Sequence, residues 1–388
     1  MKLNKKLVTF FAIYLLLFFA LAISYSLLVT FLTSLGYTAT ERSIFFVMDA
    51  LFGMTVQAGL GYLCDRVGKV KPFIYGCFAL YIMANYFLYG TVGKSFIMHL
   101  ILVMIVGGMM RITNGLMDSF TMEQSEEFKE NYGVIRLFGS IGWAVGSPVA
   151  AMIVTRYGYP ALGTGFFIAA AVMLLLVLAV SDVHVKRGNN AVSIENVRDL
   201  FRNRGYLTVV VILFVLFCVD TTQSYTVIDK MMYLNGTEQD VGNYWALAAM
   251  LELPLFFLGG RLIKKYGAMK LAALAALVYG VRYVLYAMAT KIIHVFVAGA
   301  LQAITYPVLM VTSKALVDEQ SPDNMKISGQ QVALSIYGSG SALISPLVCG
   351  ILTDNIGVNN TLLIIAATGL FGFILCVLSL RKQPQNLQ

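Results

Sequence analysis

Long apolar runs separated by short polar stretches recur twelve times along the chain, at roughly 7–33, 40–64, 72–90, 95–118, 133–156, 160–181, 206–228, 241–263, 269–289, 292–316, 326–353 and 359–380. Each run can cross about 30 Å of hydrocarbon as a helix. Lipid offers no partner to an open backbone, so helix is the form expected throughout. The longest polar interruption, about 182–205, divides the runs six and six and reads as a linker with a short amphipathic helix. The expected organisation is two six-helix bundles, 1–181 and 206–388, in an all-α polytopic membrane protein.

Composition agrees with the pattern. Hydrophobic residues make up 59% of the 388 positions, against about 45–50% in soluble domains, and charged residues only 12%. The first apolar run spans 26 residues after MKLNKK. That is well past the h-region of a cleaved signal peptide, so it reads as a retained first span. The five cysteines lie in or beside apolar runs with no CxxC pair, which implies neither a disulfide framework nor a zinc site.

The net charge of +8 would suggest nucleic acid in a soluble chain, but here its position matters more. Of 28 Lys and Arg, 20 fall in the terminal segments and the loops after even-numbered runs. Five (Arg42, Lys94, Arg156, Lys230 and Lys291) fall on the other side, and three (Arg111, Arg136 and Arg282) fall inside runs. The positive-inside rule then predicts both termini in the cytoplasm, with the bacterial inner membrane as the location.

The two halves repeat one another. GYLCDRVGKVK at 61–71 returns as GRLIKKYGAMK at 260–270, an offset of 199 that also carries Gly139-Ser140 onto Gly338-Ser339. Duplicated six-helix halves are the architecture of many secondary transporters, with substrate held between them near mid-membrane. In the first copy Gly61, Asp65, Arg66, Gly68 and Lys69 suit a tight cytoplasmic turn whose charges pair with helix ends or headgroups. The bland reading is a basic membrane-side loop.

An ionisable residue within a span is expensive unless it is paired or faces water. Asp49, Arg111, Asp118, Arg136, Asp220, Glu252 and Arg282 are such residues. Four acids and three bases are nearly balanced, which points to mutual pairing around one polar cavity. In the fourth span Arg111, Asn114 and Asp118 share a helical face, so Arg111 is placed either to neutralise Asp118 or to touch substrate. In the fifth, Arg136 and Trp143 are two turns apart on one face, and Gly139 and Gly142 leave room for a close neighbour. A guanidinium to grip hydroxyls, a carboxylate to accept from them and an indole face for a pyranose together describe a sugar site. Each residue also has a plainer reading. Asp49 could be a structural acid, Trp143 a packing residue, and Gln302, Gln223, Thr305 and Gln330 polar bridges between helices.

The pattern G-x-x-x-D-R-x-G-K-x-K resembles the loop signature of the major facilitator superfamily. Asp118, with R-x-x-G-x-x-G-W running from Arg136 to Trp143, resembles the sugar-binding signature of the lactose permease group of oligosaccharide:proton symporters. The resemblance implies that Asp118 and Arg136 hold the sugar while Trp143 stacks on it, with Arg111, Asn114 and Gln302 nearby. Asp118 stands where that group has glutamate. The histidine and glutamate of the group's tenth helix are replaced by Gln302 and Thr305, and its lysine on helix 11 by Gly338. The proton route therefore does not transfer, and Glu252, Asp220, Arg282 and Asp49 become the coupling residues, Glu252 first among them.

The expected function is proton-coupled uptake of a sugar or glycoside by alternating access. The rivals are a nucleoside:proton symporter, a drug or metabolite exporter, and a non-transporting sensor of the same fold. There is no P-loop and no enzyme motif, so neither ATP nor catalysis is implied. The expected partners are a small-molecule substrate and the bilayer, without cofactor, metal or nucleic acid, in a monomer driven by a proton gradient, with sodium the alternative ion.

Overall fold

A computed structural model describes residues 5–183, 200–322 and 325–382. Most of the predicted linker, including any amphipathic helix within it, lies outside the described residues. The chain forms α1 (Lys5–Tyr25), α2 (Leu28–Ser34), α3 (Ala39–Val67), α4 (Lys71–Gly90), α5 (Phe96–Met122), α6 (Glu126–Glu130), α7 (Tyr132–Tyr157) and α8 (Pro160–Leu178). After the linker come α9 (Arg204–Thr221), α10 (Thr226–Tyr233), α11 (Glu238–Tyr266), α12 (Ala268–Met288), α13 (Ile292–Gly299), α14 (Tyr306–Gln320), α15 (Lys326–Leu334), α16 (Gly340–Ile356) and α17 (Val358–Lys382). Among the described residues, eleven continuous or gently broken spans are long and apolar enough to cross a membrane. α11, which bends by 56° between Glu238–Phe256 and Leu258–Tyr266, makes the twelfth. Among the described residues there is no strand.

In the first two spans of each half the repeat is kept to the residue. The first and seventh spans, Lys5–Ser34 and Arg204–Tyr233, are each 30 residues long and begin 199 positions apart. α3 and α11 are each 29 residues long at the same offset. The left-handed backbone positions Gly36, Gly68 and Gly158 fall on Asn235, Gly267 and Gly357. Asn235, φ 58°, is the one non-glycine among them, and asparagine is among the few residues that tolerate that region.

Two compact units are present. One holds Met1–Asn189 with Gly236–Met250, the other Asn190–Asn235 with Leu251–Gln388. The first turns of α11 therefore group with the first unit, although the sequence places them in the second bundle. In the first unit α1 packs on α7 and α3 on α5, with α4 between α5 and α8. Gly142 makes the α1–α7 approach possible, because a Cβ there would collide with the Leu15 carbonyl. In the second unit α12 packs on α17 and α14, and α9 lies against α16 and α17.

Several predicted features are corrected. Gly61 is no turn glycine, since helix continues through it to Val67 and the turn is made at Gly68, φ 71°. The seventh span runs on to Tyr233, so Lys230 is buried within helix α10 rather than lying in an outer loop. Its ammonium donates to Asn359 Oδ1 at 2.5 Å and to the Ala287 carbonyl at 3.3 Å. The seventh and tenth spans are also interrupted, by 3-10 turns at Thr222–Ser224 and Ala300–Ile304. Pro307 accounts for the second break: it has no N–H to continue the ladder and its ring crowds the preceding turn. The eleventh span contains a π turn at Ser335–Ser339.

Candidate functional site

In the first unit the charges that the sequence places within the spans form two groups. α3 presents Asp49, fully buried, to α5, where Arg111 Nη2 donates to its Oδ1 at 3.0 Å. Tyr25, at the break between α1 and α2, donates to Asp49 Oδ2 at 2.7 Å. Gly107 makes this possible, because a Cβ there would occupy the space of the Asp49 carboxylate. Arg111 therefore pairs with Asp49 and not with Asp118, the neutralisation considered from the sequence. Both carboxylate oxygens have donors and a cation is in contact, which is the condition for keeping an ion in low dielectric.

The second group is one to two turns nearer the α5 C-terminus. Asp118 Oδ1 accepts from Tyr14 of α1 at 2.8 Å, and the same hydroxyl accepts from Thr121 at 3.1 Å. Tyr132 of α7 sets its ring edge to face against Tyr14, with centroids 6.5 Å apart. Arg136 Nη1 donates to Asn114 Oδ1 at 3.3 Å, and its guanidinium carbon sits 4.2 Å from the Phe18 ring centroid. Asp118, Asn114, Arg136 and the two tyrosines thus converge from α1, α5 and α7. Helix periodicity explains the convergence: Asn114 and Asp118 are one turn apart, and Tyr14 and Phe18 repeat that spacing on α1. Trp143, two turns along α7 from Arg136, meets Trp245 with ring centroids 6.4 Å apart.

The second unit is built differently. Arg282, on α12, is fully buried. Its Nε donates to Tyr286 at 2.9 Å, and its Nη1 donates to Thr305 at 3.1 Å and to Gln302 Oε1. Gln302 Nε2 donates in turn to Glu252 Oε1 at 2.7 Å. One amide therefore links the arginine to the acid, its oxygen facing the cation and its nitrogen the carboxylate. Asp220 accepts from Tyr279 at 2.6 Å. The break in the tenth span sets this relay, because Gln302 lies in the 3-10 turn and Thr305 has a non-helical backbone, φ −97° and ψ −84°. Gln302 was grouped with the substrate residues from the sequence; its bonds tie it to Arg282 and Glu252.

The loop motif between α3 and α4 has a local answer as well. The Asp182 carboxylate accepts from the backbone N–H groups of Val70 and Lys71 at 3.3 and 3.2 Å, at the start of α4. The Lys71 ammonium reaches back to the carbonyls of Leu178 and Val180 at the end of α8. An acid at a helix N-terminus and a base at a C-terminus satisfy orphan backbone groups and both helix dipoles. Arg66 and Lys69 are exposed, and the Asp65 side chain lies outside the described residues.

The sequence reading missed Tyr14, Tyr25, Tyr132, Tyr279 and Trp245. The tyrosines stand among 21 in the chain, and nothing in their spacing marks them. Trp245 had a signal in its rarity, since the chain has two tryptophans.

Comparison with known proteins agrees with this architecture. Residues 7–364 match the MFS_1 like family. The chain is 23% identical to a maltose permease of Geobacillus stearothermophilus, over 95% of this chain and 93% of that one. It is 21% identical to the raffinose permease of Escherichia coli, over 97% and 92%, and 20% identical to a lactose permease of Klebsiella oxytoca, over 89% and 87%. Among solved structures it resembles the nucleoside transporter NupG at a TM-score of 0.83 and 12% identity, covering 97% of this chain and 99% of that one.

Proposed function

The chain belongs to the MFS_1 like family of the major facilitator superfamily, and from that membership we propose that it takes up a sugar or glycoside together with protons by alternating access. It is a multi-pass membrane protein and a secondary transporter of a small molecule, not an enzyme.

The observation that carries the sugar reading is the convergence of Asp118, Asn114 and Arg136, with Trp143 two turns along the same helix face as Arg136. A fork of donors, a carboxylate acceptor and an aromatic plane complement the hydroxyls and the C–H face of a pyranose. Permeases for maltose, raffinose and lactose are the relatives to which the chain is similar along most of its length. The likeness to the nucleoside transporter, at 12% identity, bears on the fold alone.

Glu252 is the proposed proton carrier. Its donor is a neutral amide, so protonation neutralises the acid without separating an ion pair. Arg282, one amide away, feels the change through Gln302. Asp49 is proposed as a fixed structural charge, since Arg111 and Tyr25 occupy both its oxygens. The charge bias of the loops supports an inner-membrane protein with both termini cytoplasmic. We take the working unit to be a monomer that needs no cofactor.

The test is uptake of labelled lactose, melibiose, sucrose and uridine into vesicles, with and without a proton gradient. Gradient-stimulated uptake of at least one sugar is expected. Uptake of uridine alone would overturn the sugar reading, and equal uptake with and without the gradient would overturn the coupling.

A further inference from the structure

The chain's two tryptophans are about a hundred positions apart, yet they meet. Trp143 of α7 and Trp245 of α11 stand edge to face with their planes at 87°. Tyr244 adds a third ring, its centroid 5.8 Å from that of Trp245. The contact depends on Gly242, where a Cβ would lie 2.7 Å from the Ser147 carbonyl and 2.9 Å from Ala151. At the start of α11, Glu238 accepts from the Tyr159 hydroxyl at 3.1 Å. All of these residues belong to the first compact unit.

As an apolar contact the pair is complete, but as a polar one it is not. Nε1 of Trp245 is buried and meets no acceptor. Indole N–H is a donor only, and buried tryptophans ordinarily place it on a partner. A buried donor left unmade disfavours the arrangement that buries it. The face of Trp143 is the one proposed to stack on a sugar, and a pyranose carries its hydroxyl acceptors around the rim of its C–H face.

We infer that Trp245 is a second sugar-contacting residue, whose indole N–H donates to a hydroxyl of the sugar stacked on Trp143. The inference rests on the sugar reading above. The nitrogen is buried as it stands, so the hydroxyl takes the N–H as the two rings part. Loading therefore loosens the seat of the first turns of α11 on α7, and it replaces an unmade hydrogen bond with a made one.

The experiment uses full-length protein carrying 5-fluorotryptophan, whose two fluorine resonances are assigned with the W143F and W245F variants. It is titrated with maltose, raffinose, sucrose, lactose and uridine. With the sugar that binds, both resonances of the wild type are expected to move, and W245F is expected to raise Kd about tenfold. Among singly deoxygenated analogues of that sugar, one should bind the wild type about tenfold more weakly than the parent, and W245F should not distinguish the two. A sugar that moves the Trp143 resonance alone, with W245F binding within twofold of wild type, overturns this inference and leaves the sugar reading standing. If only uridine moves either resonance, the sugar reading falls and this inference falls with it.

Discussion

The two halves share one backbone and differ in how they hold charge. The first two spans of each half and three of the left-handed positions recur at an offset of 199, yet none of the charges within the spans does. Position 248, opposite Asp49, is alanine; position 310, opposite Arg111, is methionine; position 53, opposite Glu252, is glycine. In the first unit a carboxylate is locked by a guanidinium and a phenol. In the second, Glu252 and Asp220 are held by an amide and a phenol. An ion pair resists a change of protonation, because neutralising the acid takes the counter-charge from its partner. An acid held by neutral donors keeps its bonds in both charge states. The first arrangement suits a fixed frame around a substrate, the second a group that loads and unloads a proton.

That contrast can be broken at named positions. The largest effect is expected at Arg136, where Arg136→Ala should reduce uptake of every sugar by a hundredfold or more, about 3 kcal/mol of binding lost. Thermal unfolding of the purified variant should stay close to wild type, and uptake within tenfold of wild type would remove Arg136 from the site. Next comes the frame. Asp49→Ala alone should destabilise the detergent-solubilised protein by about 2 kcal/mol, by taking the counter-charge from Arg111, whereas Asp49→Ala with Arg111→Met should recover most of that loss. Additive losses in the double variant would mean that the pair does not act as a lock.

Glu252→Gln should keep both the shape and the bond to Gln302 while removing the proton. Counterflow exchange should persist at near wild-type rates and gradient-driven accumulation should fall to equilibrium. Accumulation that survives would take the carrier role from Glu252. The smallest effect is expected at the clamp between the start of α4 and the end of α8. Asp182→Ala should lower stability by about 1 kcal/mol, the usual loss for a helix cap. The second half offers a control there, because position 381, opposite Asp182, is arginine. Arg381→Ala should leave the melting temperature unchanged.

Some of this was legible in the residues and some was not. The spans were legible because lipid forces helix on any apolar run of sufficient length, and the duplication because glycines at turns keep their register. Asp118, Arg136 and Asn114 could be grouped because helical periodicity puts Asn114 and Asp118 on one face. Their partners could not, because Tyr14 and Tyr132 resemble every other tyrosine in the chain until packing brings them to Asp118. Arg111 shows the limit of the argument. Seven residues from Asp118 on one helix face, it had two chemically sound partners, and only the approach of α3 at Gly107 selected Asp49.

The sequence by itself determined the membrane, the helices, the repeat and the presence of ions that must find company inside. These follow from transfer free energies and the 3.6-residue period, which act on local stretches of chain. The tertiary structure alone decided which ion meets which, that the relay from Arg282 to Glu252 runs through an amide, and that the two tryptophans touch. Those outcomes depend on side chains far apart in sequence coming within about 3 to 6 Å, a distance set by how helices pack and not by any one of them.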